Sequence, residues 1–257
     1  MVAVRRSRAI ARNAAVWSTL RAALATHQQG DGAGAPLLDI LDAGGGTGGF
    51  AVPLAELGHR VTVVDPSPDS LAALERRAAE ADIRTIRGVQ GDAAGLLDVA
   101  EPEAYDVVLC HHVLEVVDDP AVAVAAMVRV LRPGGLLSVL VSNVNGAVLS
   151  RAVAGRLDEA TALLENSEGS SGLHDPLLRR YDRAGLLAQL ENAGFDVIGL
   201  HGSRVFSDLL PGSLLDVDPT AAQALLRLEE LVVDRPEFTD VAAALHALAR
   251  RPGHVPG

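Results

Sequence analysis

Residues Leu41 to Ser67, LDAGGGTGGFAVPLAELGHRVTVVDPS, constrain this chain more than any other stretch. They spell an apolar strand, a glycine-rich turn, a helix, a second strand and an acid, Asp65, 19 residues after Gly46. Gly44, Gly46 and Gly48 allow a tight turn and a close backbone approach to a ligand. The helix behind them opens with free N–H groups. A carboxylate at Asp65 can accept hydrogen bonds from ribose hydroxyls. The pattern predicts a parallel α/β sheet with a nucleotide-type cofactor at its strand ends.

Composition narrows the setting. At 257 residues, 49% of them hydrophobic, the chain can bury a full core as one large domain or a domain plus a cap. No apolar run approaches the ~20 residues of a membrane-spanning helix, so no membrane partner is expected. The start, MVAVRRSRAIARNAAVWSTL, is broken by Arg12 and reads as an amphipathic helix, not a signal peptide. One cysteine, Cys110, excludes an internal disulfide and a cysteine-based zinc site, and a cytoplasmic location is expected. The net charge of −11 disfavours nonspecific binding to nucleic acid. All 22 basic residues are arginine, which, with the abundance of Ala, Val, Gly and Leu, suggests a GC-rich bacterial genome.

Along the chain, residues 8–27 read as a helix and 30–36 as a loop. Strands are predicted over 37–42, 60–64, 85–89, 105–111 and 136–142, with helices over 49–56, 68–81 and 120–131 between them. RPGG, Arg132–Gly135, reads as a helix stop and a sharp turn into the fifth strand. Residues 146–165 look helical, and 165–176 is a polar, glycine-rich stretch expected to be a mobile loop. A helix over 182–193, a strand over 195–199 and a helix over 219–234 follow, and the VAAALHALARR segment is a helix or a strand. Three parts are expected: 1–36 covering the cofactor site, 37–145 binding the cofactor, and 146–257 shaping the acceptor site.

Two cofactor families use a glycine turn of this kind. Gly44, Gly46 and Gly49 match G-x-G-x-x-G, which alone would suggest NAD. Asp42, however, makes the run D-x-G-x-G-x-G, which resembles the first motif of class I S-adenosylmethionine (SAM) methyltransferases. A pyrophosphate has less use for a carboxylate beside it, since two anions would meet. The resemblance implies a Rossmann-like, mostly parallel sheet with helices on both faces and a C-terminal extension on the substrate side. It implies that Asp42 positions the amino-acid end of SAM, that Asp65 holds the ribose, and that Asp92 lies near the adenine amino group. His111, at a strand's carboxyl end, is read as a cofactor-pocket residue. His112 is placed toward substrate or solvent, and Glu115 is read as a packing residue. No metal site is expected, because two adjacent histidines lack a clear third ligand.

Later segments extend the likeness. LDAGGGTG, HHVLEVVDDP, VLRPGGLLSVLVSNVNG, AVAGRLD, LENAGF, SRVFSDLL and HALARRP are similar, in this order, to the bacterial tRNA 5-carboxymethoxyuridine methyltransferase family. That resemblance implies SAM contacts from Arg12, Gly44, Gly45, Asp65, Gln90, Gly91 and His111, with the Arg12 guanidinium reaching the SAM carboxylate, and Gly46 of the glycine turn joins them as a cofactor-binding candidate. It implies methylation of a carboxylate on a modified wobble uridine of tRNA. Arg204 is the candidate for holding that carboxylate or a phosphate. Arg151, Arg156, Arg179, Arg180 and Arg183 are candidates for a tRNA phosphate path, or solvated helix faces. No catalytic base is identified; for an alcohol or amine acceptor, His111, His112 or His174 would be tested first. A small-molecule methyltransferase and a non-catalytic SAM-binding module remain the alternatives.

Overall fold

The structure, a computed structural model, describes residues 2–29, 36–210 and 219–253, with side chains from Asn13 to Gln28, Pro36 to Leu210 and Thr220 to Gly253. Five strands alternate with helices: β1 (Asp39–Ala43), β2 (Arg60–Asp65), β3 (Ile86–Gln90), β4 (Tyr105–His111) and β5 (Leu131–Ser142). Between them lie α2 (Ala51–Glu56), α3 (Pro68–Glu80), α4 (Leu96–Val99) and α5 (Pro120–Val130); α1 (Val2–Gln29) precedes them. The β3–β2, β2–β1, β1–β4 and β4–β5 pairs are all parallel. With β6 (Asp196–Ser203) and β7 (Ala244–Arg250) the sheet has seven strands in the order β3-β2-β1-β4-β5-β7-β6. The order reverses direction between β1 and β4, which is where open α/β sheets bind ligands.

Local chemistry explains the elements. The valines and leucines of β1, β2 and β4 are buried almost throughout, as strands covered on both faces require. Ser67 caps α3 by accepting from Ser70 N–H at 3.2 Å, with Pro68 at the first helical position. Asp119 caps α5 by accepting from Ala121 and Val122 N–H at 2.8 and 3.2 Å. At the amino ends of the parallel strands, Asp39 takes two hydrogen bonds from Arg60 at 2.6 and 2.9 Å and one from Arg132 at 3.1 Å. The Arg60 bonds outweigh burial and, with Arg132, hold the Asp39 carboxyl below its usual range. These ion pairs occupy the end opposite the glycine turn.

Several expectations need correction. RPGG is not a turn ahead of a strand: β5 begins at Leu131 and runs through it as a bulge, with Leu131 opposite Tyr105 and Leu136 opposite Val107. Gly134 supplies the left-handed backbone (φ +79). Its N–H donates to Arg251 O, and Arg251 N–H donates to Gly135 O, both at 2.9 Å. Residues 146–165 form two helices, α6 (Val144–Val153) and α7 (Leu157–Glu165), parted at Gly155 with φ +74. In the stretch after α7, Arg180 and Asp175 form a bidentate pair at 2.6 and 2.8 Å. VAAALHALARR holds a strand, β7, and β6 runs on to Ser203.

Two compact units interleave along the chain. One comprises 25–140, 187–198 and 248–257 and carries the glycine turn. The other, the arginine unit, comprises 1–24, 141–186 and 199–247 and contains α6, α7, α9 (Pro219–Val232) and α10 (Pro236–Thr239). α8 (Arg183–Asn192) contributes to both.

Candidate functional site

In the glycine-turn unit, the carboxyl ends of β1 and β2 place Asp42 and Asp65 beside the turn. Asp65 is 8% exposed. Its Oδ2 accepts from Gly46 N–H and its Oδ1 from Ser67 N–H, each at 2.9 Å. Each oxygen keeps further accepting capacity, which suits a diol. Asp42 is 3% exposed, and burial followed by the Asp65 charge pushes its carboxyl up to about 7. A Cβ on Gly45 would collide with the Asp42 carboxyl, and one on Gly44 with Val113. Gly44 also needs its positive φ of 72°. Arg77 clamps the turn from α3 by donating to Thr47 O at 2.6 Å.

A cavity of about 480 Å³ opens here, lined by Gly44, Asp65, Asp92, His112 and an apolar wall that includes Val113 and Val116. Asp92 Oδ1 accepts from Ala94 and Gly95 N–H at 2.9 and 2.7 Å, fixing the turn into α4. Gln90 donates to Pro66 O at 3.3 Å, and Gly91 N–H donates to Asp65 O at 3.3 Å. His111 turns its ring toward Ser138 Oγ, 2.9 Å away, and edge-on to Phe50, with centroids 4.4 Å apart. The histidine of the cavity wall is His112. Glu115, expected to pack, is fully buried and bonded to His112 Nδ1 at 2.9 Å. Arg12 falls on α1, but its side chain lies outside the described residues. The donor set fits a cationic nucleoside: carboxylates attract a positive charge, Asp65 suits ribose, and the valines suit a base.

Arg204 lies in the other unit, on a cavity of about 180 Å³ that Arg151 and Arg180 also line. Its backbone is left-handed (φ +59), and its Nε stands 3.8 Å from Asp208. Glu229 fixes the segment that follows by accepting from Val205, Phe206 and Ser207 N–H at 2.9–3.0 Å. Asn143, 1% exposed, donates to Asp240 O and Ala242 O at 3.1 and 2.8 Å. All five candidate phosphate-path arginines are paired: Arg151 and Arg156 with Glu159, Arg179 with Glu168, Arg180 with Asp175, and Arg183 with Asp240. Burial pushes the Asp175 carboxyl up, but Arg180 and the N–H groups of Ser171 and Leu177 outweigh it and hold it well below the usual range. The sequence alone assigns no role to Glu229, Asn143 or Asp175; Glu229 and Asn143 are revealed by contacts across the fold, and Asp175 by its local bonds to Ser171, Leu177 and Arg180. Among the described residues no group of acids, histidines and cysteine is arranged to hold a metal ion, and no helix is long and apolar enough to cross a membrane.

Comparison with known proteins agrees with this geometry. A methyltransferase domain family matches residues 41–139. The tRNA 5-carboxymethoxyuridine methyltransferase of Escherichia coli K12 is 31% identical over 245 residues, 94% of this chain and 88% of its own. A ubiquinone biosynthesis O-methyltransferase of Methylocella silvestris is 40% identical over 106 residues, 39% of this chain and 38% of its own. A solved SAM-dependent methyltransferase from Methanosarcina mazei shares the fold, with a TM-score of 0.60 at 17% identity over 85% of this chain and 94% of its own. An acid-lined cavity at the sheet's point of reversal and a likeness that runs nearly end to end lead to one assignment: the chain belongs to the class I SAM-dependent methyltransferases, in the family of the E. coli tRNA 5-carboxymethoxyuridine methyltransferase.

Proposed function

We propose that this enzyme transfers the methyl group of SAM to a carboxylate on a modified wobble uridine of tRNA, giving a methyl ester. The observation that carries this is extent. Likeness to the tRNA enzyme spans 94% of the chain, whereas likeness to ubiquinone biosynthesis O-methyltransferases covers 39% to 63% of it. The arginine unit, where acceptor choice is expected to reside, is therefore part of the resemblance.

In this reading Asp65 holds the ribose, and the backbone of Gly44, Gly45 and Gly46 gives the amino-acid end of SAM a close approach. Gln90, Gly91 and Asp92 border the base, Asp42 and Arg12 hold the amino and carboxylate groups, and His111 packs behind the cofactor. Bound SAM supplies a methyl group on a positively charged sulfur. A carboxylate acceptor is already ionised at pH 7 and needs no base. The chain's task is then to orient the acceptor and exclude water. Arg204 holds the acceptor anion. Arg204→Ala is expected to leave SAM affinity intact and lower kcat/KM by about 1.5–3 kcal/mol, roughly tenfold to a hundredfold. Full turnover in that variant would remove Arg204 from the site.

A small-molecule acceptor is the second reading, favoured by the ion pairing of the five arginines, which a phosphate backbone would have to displace. The test is transfer of labelled methyl from SAM to total bacterial RNA, with a small-metabolite extract in parallel. Label in tRNA that mild alkali removes supports the ester. Label confined to metabolites overturns the tRNA reading.

A further inference from the structure

Arg204 stands on a backbone that it would not adopt by itself. Its φ of +59 is left-handed, which is costly for a residue with a Cβ and persists only where surrounding groups hold it. The hold is visible on the peptide plane that joins Arg204 to Val205. At one end of that plane, Arg204 O accepts from Ala243 N–H, just ahead of β7, at 3.3 Å. At the other end, Val205 N–H donates to Oε2 of Glu229, on α9, at 2.9 Å. A plane bonded at both ends cannot rotate, so the direction in which the Arg204 side chain leaves the backbone is fixed.

Glu229 does more than hold one plane. Its Oε1 accepts from Phe206 N–H at 3.0 Å, from Ser207 N–H at 2.9 Å and from Ser207 Oγ at 2.6 Å. Those N–H groups open a short turn, closed by Leu209 N–H on Phe206 O at 2.9 Å. A local Ser or Asp cap serves most such turns. Here an acid from another helix does so while only 7% exposed, and burying a carboxylate is costly unless its oxygens are bonded. Anchoring does not require it, because Val205 already packs against Val232 of α9 and Ala242. What the carboxylate adds is direction. Arg204 lines the acceptor cavity of about 180 Å³ and also a gap of about 10 Å³ that it shares with Ala14, Ala15, Ser207 and Glu229. A rotated plane would carry the guanidinium off the cavity wall.

We infer that Glu229 is the positioning residue of the acceptor site: it holds the turn that aims Arg204, and acceptor affinity depends on it. This rests on the reading in which Arg204 holds the acceptor anion. The acceptor carboxylate loses its charge as the methyl moves, so a cation beside it favours the bound acceptor at least as much as the transition state. Loss of aim therefore shows in KM, not in kcat.

The full chain is assayed with methyl-labelled SAM and bulk bacterial tRNA whose esters have first been removed by mild alkali. Glu229→Ala strips every one of these donors and can unfold the unit, so the informative variant is Glu229→Gln. Its amide oxygen can keep the bonds of Oε1, but its NH₂ meets Val205 N–H donor to donor. KM for tRNA should rise about tenfold, with kcat within about threefold of the wild type. Ser207→Ala, which removes the Oγ bond alone, should raise KM about threefold. In an Arg204→Ala background, Glu229→Gln should change kcat/KM less than about twofold, because the group it aims is gone. A second readout needs neither cofactor nor acceptor: amide hydrogen exchange at Val205 should quicken at least about tenfold in Glu229→Gln, with the amides of β1 to β4 unchanged. An equal loss of kcat/KM in both backgrounds would make Glu229 a fold residue and overturn the inference while Arg204 keeps its role. An unchanged KM, a loss confined to kcat, or unaltered exchange at Val205 overturns it too. Full turnover in Arg204→Ala alone, or no ester on tRNA from the wild type, would instead sink the reading beneath it, and the inference with it.

Discussion

The two units build their cavities from opposite materials. The glycine-turn unit builds an acid-lined cavity from backbone: strand ends, a turn without side chains, and N–H groups that orient Asp65. The arginine unit builds its cavity from side chains, with Arg151, Arg180 and Arg204, each paired with an acid, around it and its backbone held by Asn143 and Glu229. A backbone site changes little with sequence and suits a ligand shared across a family. A side-chain site can be rewritten one residue at a time and suits the variable acceptor.

Four outcomes would sharpen or break this contrast. The largest concerns the arginine unit. Arg180→Ala leaves the buried Asp175 uncompensated and should cost about 3–5 kcal/mol in urea unfolding; a loss below about 1 kcal/mol would mean that water reaches the pair as at any surface. Next, the two buried acids should titrate in opposite senses. Folding raises Asp42 from 3.8 to about 7, so the folded chain holds that proton more tightly than the unfolded chain. Its contribution is full below pH 3.8 and is lost as pH rises to about 7, roughly 4 kcal/mol in all. Folding lowers Asp175, whose contribution is full above pH 3.8 and is lost as pH falls below it. Asp42→Asn should therefore remove a decline in stability between about pH 4 and pH 7; parallel curves for variant and wild type would show Asp42 solvated. A smaller effect is expected from Asp65→Ala, which should weaken SAM binding by about 1–3 kcal/mol in calorimetry; unchanged affinity would take ribose away from Asp65. The smallest should come from Arg156→Ala, whose exposed partner Glu159 lies 3.4 Å away: about 0.5 kcal/mol or less in stability. A larger loss would make the surface arginines structural.

The same contrast explains what could be read in advance. The strands, the glycine turn and Asp65 are local in sequence, so hydrophobic runs and a fixed spacing of 19 residues announce them. The bulge at Arg132–Gly135 was hidden because Pro-Gly-Gly also ends helices, and only pairing with β4 shows the strand continuing on both sides. At His111 and His112 the sequence offers two identical side chains. Which of them faces the cavity depends on the left-handed backbone of the second, and a histidine gives little local warning of that. The arginine unit was the least legible. Its organisers act across great sequence distance, as when Asn143 bonds to Ala242, and a lone Asn, Glu or Asp carries no periodic signal.

The strand order has a consequence for how the molecule comes into being. β7, the last strand among the described residues, sits inside the sheet between β5 and β6. During synthesis β1 to β5 can zip together early, but the open side of β5 must wait while everything from Asn143 to Ala243 emerges. β6 appears first and must leave a vacancy one strand wide. An unpaired edge kept that long is an invitation to neighbouring chains, and pairing at long range is slow. The nascent enzyme should thus be most prone to aggregate just before its final strand is delivered, and a ribosome stalled short of β7 should release a product that chaperones hold and proteases find.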